Sequence, residues 1–326
     1  MGGVITISLE IELGWGYHDL GQFNRLSENR RKETKTIQRL LNVCDKYDIP
    51  LTFNIVGHLL QKHTPSSETP HMDGWFDSIP SKGDPLFYAP DIVRAIQQAN
   101  TDHEICTHTH SHVICGKASD RVLDWELQQA KKAHREIGEP KPVSLVPPRH
   151  SLPSKDRLRR NDIEIIRRIG YAPALTPFHK FNQLVFEPPD PIEPRLVDGI
   201  VETYCSKYST LSAATLPSGA EPPLPMFRAV PTAVRQRLHR RYLTRAMNKV
   251  AEQDSYIHLW SHLHNLANDE QWQPIRSFLK TLADRRDSNE LTVMPMKVLN
   301  KHVRAQNTKT PNETLCQPEA KSLIEW

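Results

Sequence analysis

The sequence predicts an α/β protein with the architecture of a (β/α) barrel. Short runs of β-branched and apolar residues alternate with longer segments whose apolar residues recur at helical spacing, which is typical of parallel strands joined by helices. Polar residues of the types used in catalysis also cluster just after several of these short runs. Because the loops at the carboxyl ends of barrel strands converge on one pocket, this distribution favours a closed barrel.

The predicted elements follow one another in a regular order. Strands are expected at 4–13, 51–56, 104–107, 143–147, 172–176, 255–260 and 290–294, and helices at 28–47, 91–99, 120–137, 155–169, 232–252 and 269–284. Apolar residues in the helices lie three and four positions apart, as on the buried face of an amphipathic helix. We expect the helix at 155–169 to end at Gly170, because glycine readily adopts the left-handed conformation that ends helices.

Two segments interrupt the alternation and are predicted to be insertions that fold over the site. Residues 61–90 and 177–231 are long, rich in proline and without clear periodicity. Residues 1–304, including both insertions, are predicted to form a single domain, since a chain of this length can fill one large α/β core. Residues 305–326 are polar and unpatterned, and we expect them to be a disordered tail.

Composition restricts the classes of partner and compartment. The 326 residues include 42 basic and 38 acidic side chains, a net charge of +4, which does not predict nucleic-acid binding. Five cysteines without paired spacing argue against a disulfide framework. No apolar stretch approaches the roughly 18 residues of a membrane-spanning helix, and the chain starts with a predicted strand rather than a secretory leader. We therefore expect a soluble, cytoplasmic protein.

Basic residues concentrate between 235 and 249, in a stretch with the spacing of an amphipathic helix. The usual interpretation of such a run is a helix with a solvated face. The alternative is peripheral contact with an anionic membrane surface or a phosphate-bearing glycan carrier. The sequence contains no signal for an oligomeric state.

The histidines after the predicted strand 104–107 are the strongest functional signal. His108, His110 and His112 lie at alternate positions, so one strand end and its loop can turn imidazole nitrogens toward one point. Neutral imidazole is a good ligand for zinc and related metals. A single histidine in a loop is more often an ordinary hydrogen-bonding residue, but three within five residues favour a metal site.

Two glutamates at the end of the first predicted strand form a second signal. Side chains two positions apart share one face of a strand, so Glu10 and Glu12 project together from an otherwise apolar run. Two carboxylates are costly there unless a cation or a reaction requires them. The alternative is an edge strand with its polar face in water, although the following Gly-Trp-Gly-Tyr-His-Asp at 14–19 is typical of a loop at a site.

Together, four separated motifs resemble those of the NodB-like polysaccharide deacetylases, the fourth family of carbohydrate esterases. The run His-Thr-His-Ser-His at 108–112, preceded by His-Glu-Ile at 103–105, is similar to the family's metal-binding motif. Glu10-Ile11-Glu12 is similar to its paired acidic motif, whose first residue is usually aspartate. The resemblance implies a distorted, seven-stranded (β/α) barrel.

The two remaining motifs lie later in the chain. Residues 146–151, Val-Pro-Pro-Arg-His-Ser, resemble the family's third motif, although its usual residue order is absent, and residues 257–265 resemble its last motif. By this resemblance Arg149 would orient the general base, and a histidine after the last apolar strand would be the general acid. We select His262 because a strand through 256–260 would release it at the carboxyl end, where barrel sites are built.

The resemblance also implies the roles of the acidic and histidine motifs. Glu12, His108 and His112 would hold one divalent metal ion, zinc or else cobalt, nickel or manganese, which would polarise the substrate carbonyl and lower the pKa of a bound water. Glu10 would be the general base. It is one methylene longer than aspartate, which shifts the base relative to that water unless the backbone compensates.

The implied reaction is hydrolysis of an N-acetyl amide on an amino sugar or glycan intermediate, with Trp15, His110 and His264 as candidate substrate contacts. A cytoplasmic location favours a nucleotide-linked, lipid-linked or small amino sugar used in the biosynthesis of a surface glycan. Two alternatives stay open, because a shared fold does not determine the substrate. One is hydrolysis of another carbon–nitrogen bond, as in a cyclic imide or amide, and the other is a non-catalytic carbohydrate-binding relative.

Overall fold

Seven parallel strands close into a barrel in this computed structural model, which describes residues 2–61, 70–80, 83–170 and 176–309. The strands in chain order are β1 (Gly3–Ile11), β2 (Thr52–Ile55), β3 (Glu104–Thr107), β4 (Ser144–Leu145), β5 (Ile165–Ile169), β6 (Arg195–Val197), β7 (Ile200–Cys205), β8 (Tyr256–His262) and β9 (Leu291–Val293). The barrel runs β1-β2-β3-β4-β5-β7-β8 and returns to β1. Strand β6 pairs antiparallel with β7, and β9 pairs with the first residues of β1. The predicted seven-stranded (β/α) barrel is confirmed.

Helices surround the barrel and pack apolar side chains against its strands. In the described part of the chain they are α1 (Arg31–Tyr47), α2 (Gly57–Leu60), α3 (Pro90–Gln97), α4 (Asp120–Glu136), α5 (Lys155–Arg160), α6 (Pro177–Val185), α7 (Thr232–Gln253), α8 (Leu263–Leu266), α9 (Asp269–Asp287) and α10 (Met296–Lys309). The outward residues of β1, from Ile5 to Ile11 at alternate positions, pack against apolar faces of α1, α7 and α9. The opposite face of β1 therefore points into the barrel and carries Ser8 and Glu10.

The predicted helix at 155–169 is wrong in its second half. Helix α5 ends at Arg160, Asp162 adopts a left-handed φ of +56°, and residues 165–169 form β5. Isoleucines at 163 and 166 fit helical spacing, but parallel pairing with β4 on one side and β7 on the other decides for a strand. The predicted strand at 172–176 falls mainly on residues outside the described ranges.

The predicted boundaries of the second insertion and of the tail are wrong. The segment 177–231 contains α6 and the barrel strand β7, so its description as an insertion is wrong for residues 200–205. The described parts of 61–90 include residues 70–80, which pack over the histidine loop. Helix α10 continues to Lys309, so the predicted tail begins too early. Residues 310–326, with Cys316, lie outside the described residues.

The basic stretch 235–249 forms the middle of α7. Arg235 is buried and lies 3.2 Å from the carboxylate of Glu270. Arg237, Arg240 and Arg241 are exposed, and none has an acidic partner within 4.0 Å among the described residues. Contact of this face with a membrane surface stays a prediction. None of the described helices has both the length and the apolar composition needed to span a bilayer.

Candidate metal centre and active site

Polar side chains project into the barrel near the carboxyl ends of its strands. Glu10 on β1 and His262 on β8 are direct neighbours in the strand register. Arg167 projects inward from β5, across the barrel from β1, and reaches the Glu10 carboxylate. His108 follows β3, whose end pairs with β2. The predicted catalytic and ligand groups, except Arg149, thus converge at one end of the barrel.

Glu12, His108 and His112 form a buried cluster of three ligand-type side chains. Glu12 Oε1 lies 3.0 Å from His108 Nε2 and 3.1 Å from His112 Nε2. One ligand atom from each residue lies within 4.8 Å of the others. The structure therefore brings together the three residues predicted from separate motifs.

The hydrogen bonds of this cluster leave room for a cation. His108 Nδ1 lies 2.7 Å from the carbonyl oxygen of Val146; because a carbonyl only accepts, Nδ1 carries a proton. In the neutral ring, Nε2 then turns a lone pair toward Glu12 Oε1, which is also an acceptor. Two acceptors this close need a proton or a metal ion between them. Two imidazoles and a carboxylate form a set that suits zinc, and the backbone contact of His108 is the usual outer support of a histidine ligand.

Glu12 is ionised in this environment. Burial alone would raise its pKa, but the neighbouring imidazoles of His112, His262 and His108 outweigh burial and hold the pKa well below its usual range. An ionised carboxylate between imidazole nitrogens concentrates negative charge at the point where a cation would bind.

Local backbone geometry after β1 places the Glu12 carboxylate. Leu13 adopts a left-handed φ of +47°, unusual for a residue other than glycine, and a short 3₁₀ turn covers Leu13–Gly16. A Cβ atom at Gly16 would collide with Glu12 Oε2. Gly16 thus has a steric reason, because the turn returns close to the carboxylate of Glu12.

Glu10 occupies a second cluster beside the first. One carboxylate oxygen forms an ion pair with Arg167, and the other lies 3.3 Å from His262 Nε2. Burial would raise the pKa of Glu10, but Arg167, His262 and His108 together lower it. Glu10, Glu12 and His262 also have metal-type spacing. Since Arg167 already neutralises Glu10, a cation is favoured at the Glu12–His108–His112 cluster.

Arg167 is held by further contacts inside the barrel. It donates a hydrogen bond to Ser8 Oγ at 3.0 Å, and its guanidinium lies over the Trp260 ring at 4.7 Å. Ser8 Oγ is also 2.8 Å from His258 Nε2. These contacts fix the guanidinium in the orientation that reaches Glu10.

The predicted contact between Arg149 and Glu10 is wrong. Arg149 lies in a turn after β4, is exposed, and forms an ion pair with Asp19 at 2.6 Å. Arg167 takes the position beside Glu10. Arg167 is absent from the site predicted from sequence, because its segment is predicted to be helical. In a strand, an arginine among isoleucines is a signal of an inward-facing functional group.

The candidate substrate contacts are more buried than predicted. Trp15 is 0 % exposed, stacks on His58 at 4.3 Å and donates its indole N–H to the Phe87 carbonyl, so the prediction that its ring faces substrate is wrong. His110 is buried between His58 and Trp125, with ring centroids 3.9 and 5.6 Å away. Both residues belong to the packing around the site.

His264 lies next to the candidate acid but is neutral. Burial and the neighbouring His262 lower the pKa of His264 to about 3. Its Nε2 lies 2.8 Å from the Tyr17 hydroxyl. A substrate contact by His264 stays a prediction.

Comparison with known proteins agrees with this architecture. Residues 23–172 match the family model described as polysaccharide deacetylase. No curated protein matches the chain. Among solved structures, a candidate polysaccharide deacetylase from Mycobacterium smegmatis is similar at 17% identity and a TM-score of 0.62, over 98% of this chain and 96% of that one.

Two further solved structures are similar in the same way. The PuuE allantoinase has 12% identity and a TM-score of 0.58, over 94% of this chain and 92% of its own. A candidate polysaccharide deacetylase from Pseudomonas aeruginosa PAO1 has 11% identity and a TM-score of 0.57, over 93% and 91%. At these identities the likeness concerns the fold.

Proposed function

We propose that this protein, whose residues 23–172 match the polysaccharide deacetylase family model, removes an N-acetyl group from an amino sugar or glycan intermediate with the help of one divalent metal ion. The family consists of hydrolases of the N-acetyl amide bonds of carbohydrates, and that class of reaction is the starting point. The metal dependence, the roles of individual residues and the substrate are the proposed parts.

One observation carries the metal dependence. Glu12 Oε1 and His108 Nε2 face each other as acceptors in a buried place, and His112 Nε2 lies 3.1 Å from the same carboxylate oxygen. When bound there, a divalent cation supplies Lewis acidity, which polarises a carbonyl and lowers the pKa of water. Zinc is the proposed ion, with cobalt, nickel and manganese as alternatives that the same donors accept.

Glu10 is the proposed general base. Arg167 keeps it ionised and binds one oxygen, which leaves the other oxygen to take a proton from the attacking water. The guanidinium reaches Glu10 from across the barrel, and this contact defines where the longer glutamate side chain places its carboxylate. The water oxygen then bonds to the amide carbon.

His262 is the proposed general acid. Its side chain is 25 % exposed, whereas those of Glu10 and Glu12 are 4 % and 7 % exposed. It is therefore the group of this cluster that a bound substrate reaches most directly. As the amide C–N bond breaks, His262 donates a proton to the departing amine, and acetate and the free amino sugar are the products.

The test is acetate release from a panel of N-acetylated sugars, nucleotide sugars and chitooligosaccharides by protein reconstituted with Zn²⁺. We expect release by the parent protein and none by His108→Ala. His302→Ala is the matched control, because His302 lies on α10, outside the cluster, and contacts Gln306. Equal release by the parent protein and His108→Ala would refute metal-dependent deacetylation at this site.

Cyclic amides belong in the same panel. The allantoinase likeness shows a fold that this chain shares, and the same metal, base and acid would hydrolyse a ring C–N bond. Hydrolysis of a cyclic imide without release from any acetylated sugar would transfer the proposal to that reaction. Metal binding without turnover of any member would favour a carbohydrate-binding relative.

A further inference from the structure

We infer that Glu126 is a positioning residue that fixes the two histidine ligands by holding the loop between them. The inference rests on the proposed function, since it assigns His108 and His112 to a metal ion. Glu126 lies on α4, away from every sequence motif described above, and its side chain is fully buried.

The loop from 108 to 112 has a backbone that needs external support. Thr109 and His112 both adopt left-handed φ values, +62° and +63°. Residues other than glycine hold such angles only where surrounding contacts determine them. The position of His112 relative to His108 therefore depends on the contacts that hold His110 and Ser111 in place.

Glu126 accepts hydrogen bonds from both His110 and Ser111. Its Oε2 accepts hydrogen bonds from the backbone N–H groups of His110 and Ser111, each at 2.8 Å, and its Oε1 accepts one from the Ser111 hydroxyl. A single buried carboxylate thus accepts hydrogen bonds from three donors that belong to two consecutive residues of the loop. A neutral or shorter side chain cannot satisfy all three in the same geometry.

A second layer closes over this carboxylate. His71 Nε2 lies 3.2 Å from Glu126 Oε1, and the Trp75 indole N–H donates to Ser111 Oγ at 2.9 Å. Both residues belong to the segment 70–80, which thereby seals the Glu126 contacts from water. The covering segment is linked to the ligand loop through Glu126 and Ser111.

The opposite side of the loop is held by the backbone of α2. The N–H groups of Gly57 and His58 donate to the carbonyls of Thr109 and His110 at 2.9 and 3.0 Å. A Cβ atom at Gly57 would stand 2.6 Å from His110 Nδ1. The loop is thus clamped between α2 and Glu126, and Glu126 supplies the side-chain half of the clamp.

The test is metal affinity of the full chain after removal of bound metal by a chelator. Zn²⁺ is titrated calorimetrically into the parent protein, Glu126→Ala, Glu126→Gln and the control Glu104→Gln. Glu104 is a matched control because it is also buried and accepts three hydrogen bonds, but at the opposite end of the barrel. The absorption spectrum of the Co²⁺ form reports the geometry of the ligands.

Loss of outer support of a ligand typically weakens metal binding about 10- to 100-fold. We expect Glu126→Ala to lose affinity in that range, Glu126→Gln to lose less because its one carbonyl oxygen can keep the two backbone donors, and Glu104→Gln to keep the parent affinity. The Co²⁺ spectrum should change in the two Glu126 variants only. If Glu126→Ala does not fold, as judged by circular dichroism, Glu126→Gln decides.

The outcomes separate the inference from the proposed function. Parent affinity and an unchanged Co²⁺ spectrum in folded Glu126 variants would overturn the role of Glu126 and leave the metal site intact. An equal loss of affinity in Glu104→Gln would also overturn it, since any buried carboxylate would then have the same effect. Failure of the parent protein to bind metal would overturn both.

Discussion

Strand β3 has a buried carboxylate at its first residue, Glu104, and leads at its other end to a buried imidazole, His108. At the amino end, two hydroxyl groups and one backbone N–H donate to the Glu104 oxygens. At the carboxyl end, His108 and Glu12 turn acceptor atoms toward each other at 3.0 Å. The carboxylate of Glu104 thus has hydrogen-bond donors for both of its oxygens, whereas the carboxylate of Glu12 faces an imidazole nitrogen that cannot donate.

The pKa values of Glu104 and Glu12 are shifted in opposite directions. Burial raises the pKa of Glu104, and neither the hydrogen bonds to its oxygens nor the charge of Lys297 reverses that shift. Burial acts on Glu12 too, but neighbouring imidazoles lower its pKa well below the usual range. Burial of a polar residue is therefore a poor guide to function, whereas missing hydrogen-bond donors and the direction of the pKa shift distinguish the two ends of the barrel.

The largest effect is expected from Glu12→Gln. The substitution removes the negative charge of the proposed ligand set and leaves a neutral amide facing two imidazoles. We expect loss of Zn²⁺ binding and a fall in kcat/KM of about 1,000-fold or more, which corresponds to ~4 kcal/mol. Calorimetric metal titration and acetate release measure the two effects. If Glu12→Gln still bound Zn²⁺, Glu12 would not be a metal ligand, and the proposed difference between the two ends of the barrel would be wrong.

Arg167→Met should destabilise the fold strongly, because it leaves the buried Glu10 carboxylate without its cation. Breaking a buried ion pair from one side costs roughly 3–5 kcal/mol. The matched control is Arg149→Met, which removes an exposed ion pair with Asp19 worth about 0–1 kcal/mol. Urea unfolding of both variants measures the free energies of unfolding, and similar losses would contradict the assignment of Arg167 to the buried site.

The amino end offers a test of pH dependence through His103. Its Nδ1 accepts a hydrogen bond from the Leu51 N–H at 3.1 Å, which requires an unprotonated Nδ1, and burial lowers the pKa of His103 to about 4. Between the unfolded pKa near 6.5 and about 4, the unfolded state binds the proton first. The contribution of His103 to the free energy of unfolding is therefore full above pH 6.5 and decreases as the pH is lowered, by on the order of 2 kcal/mol at pH 5.

His103→Asn keeps an acceptor at the position of Nδ1 and removes this titration. The difference in free energy of unfolding between pH 7 and pH 5 should be smaller in the variant than in the parent protein by about that amount. Urea unfolding at both pH values measures it. An identical pH dependence in the two proteins would show that His103 does not titrate on unfolding.

Glu104→Gln should have the smallest effect. The amide keeps one oxygen for the Lys297 N–H and the Thr52 hydroxyl, and the Ser144 hydroxyl can rotate to accept from the new amide group. We expect a loss of about 1 kcal/mol in stability and unchanged acetate release. Thermal unfolding and the release assay check the two parts, and a large loss of activity would indicate that the two ends are coupled.

Much of the fold was predictable because the pattern along each element is local. The alternation in β1, the helical spacing in α1 and α4, and the strand 104–107 were read close to their observed bounds. The prediction failed at 155–169 and at β7, where isoleucine spacing or flanking prolines masked a strand. Those two strands are decided by neighbours on both sides, which are distant in sequence.

The sequence by itself determined the residue types of the site and their order: an acidic pair after a strand, three histidines after another, and a histidine after a late strand. These motifs carry chemistry through composition and short spacing, which need no partner to be recognised. Tertiary structure alone decided that Arg167 rather than Arg149 meets Glu10, that Trp15 is core, and that Glu126 holds the ligand loop. Each is a contact between side chains far apart in sequence, and only closure of the barrel brings them within hydrogen-bonding distance.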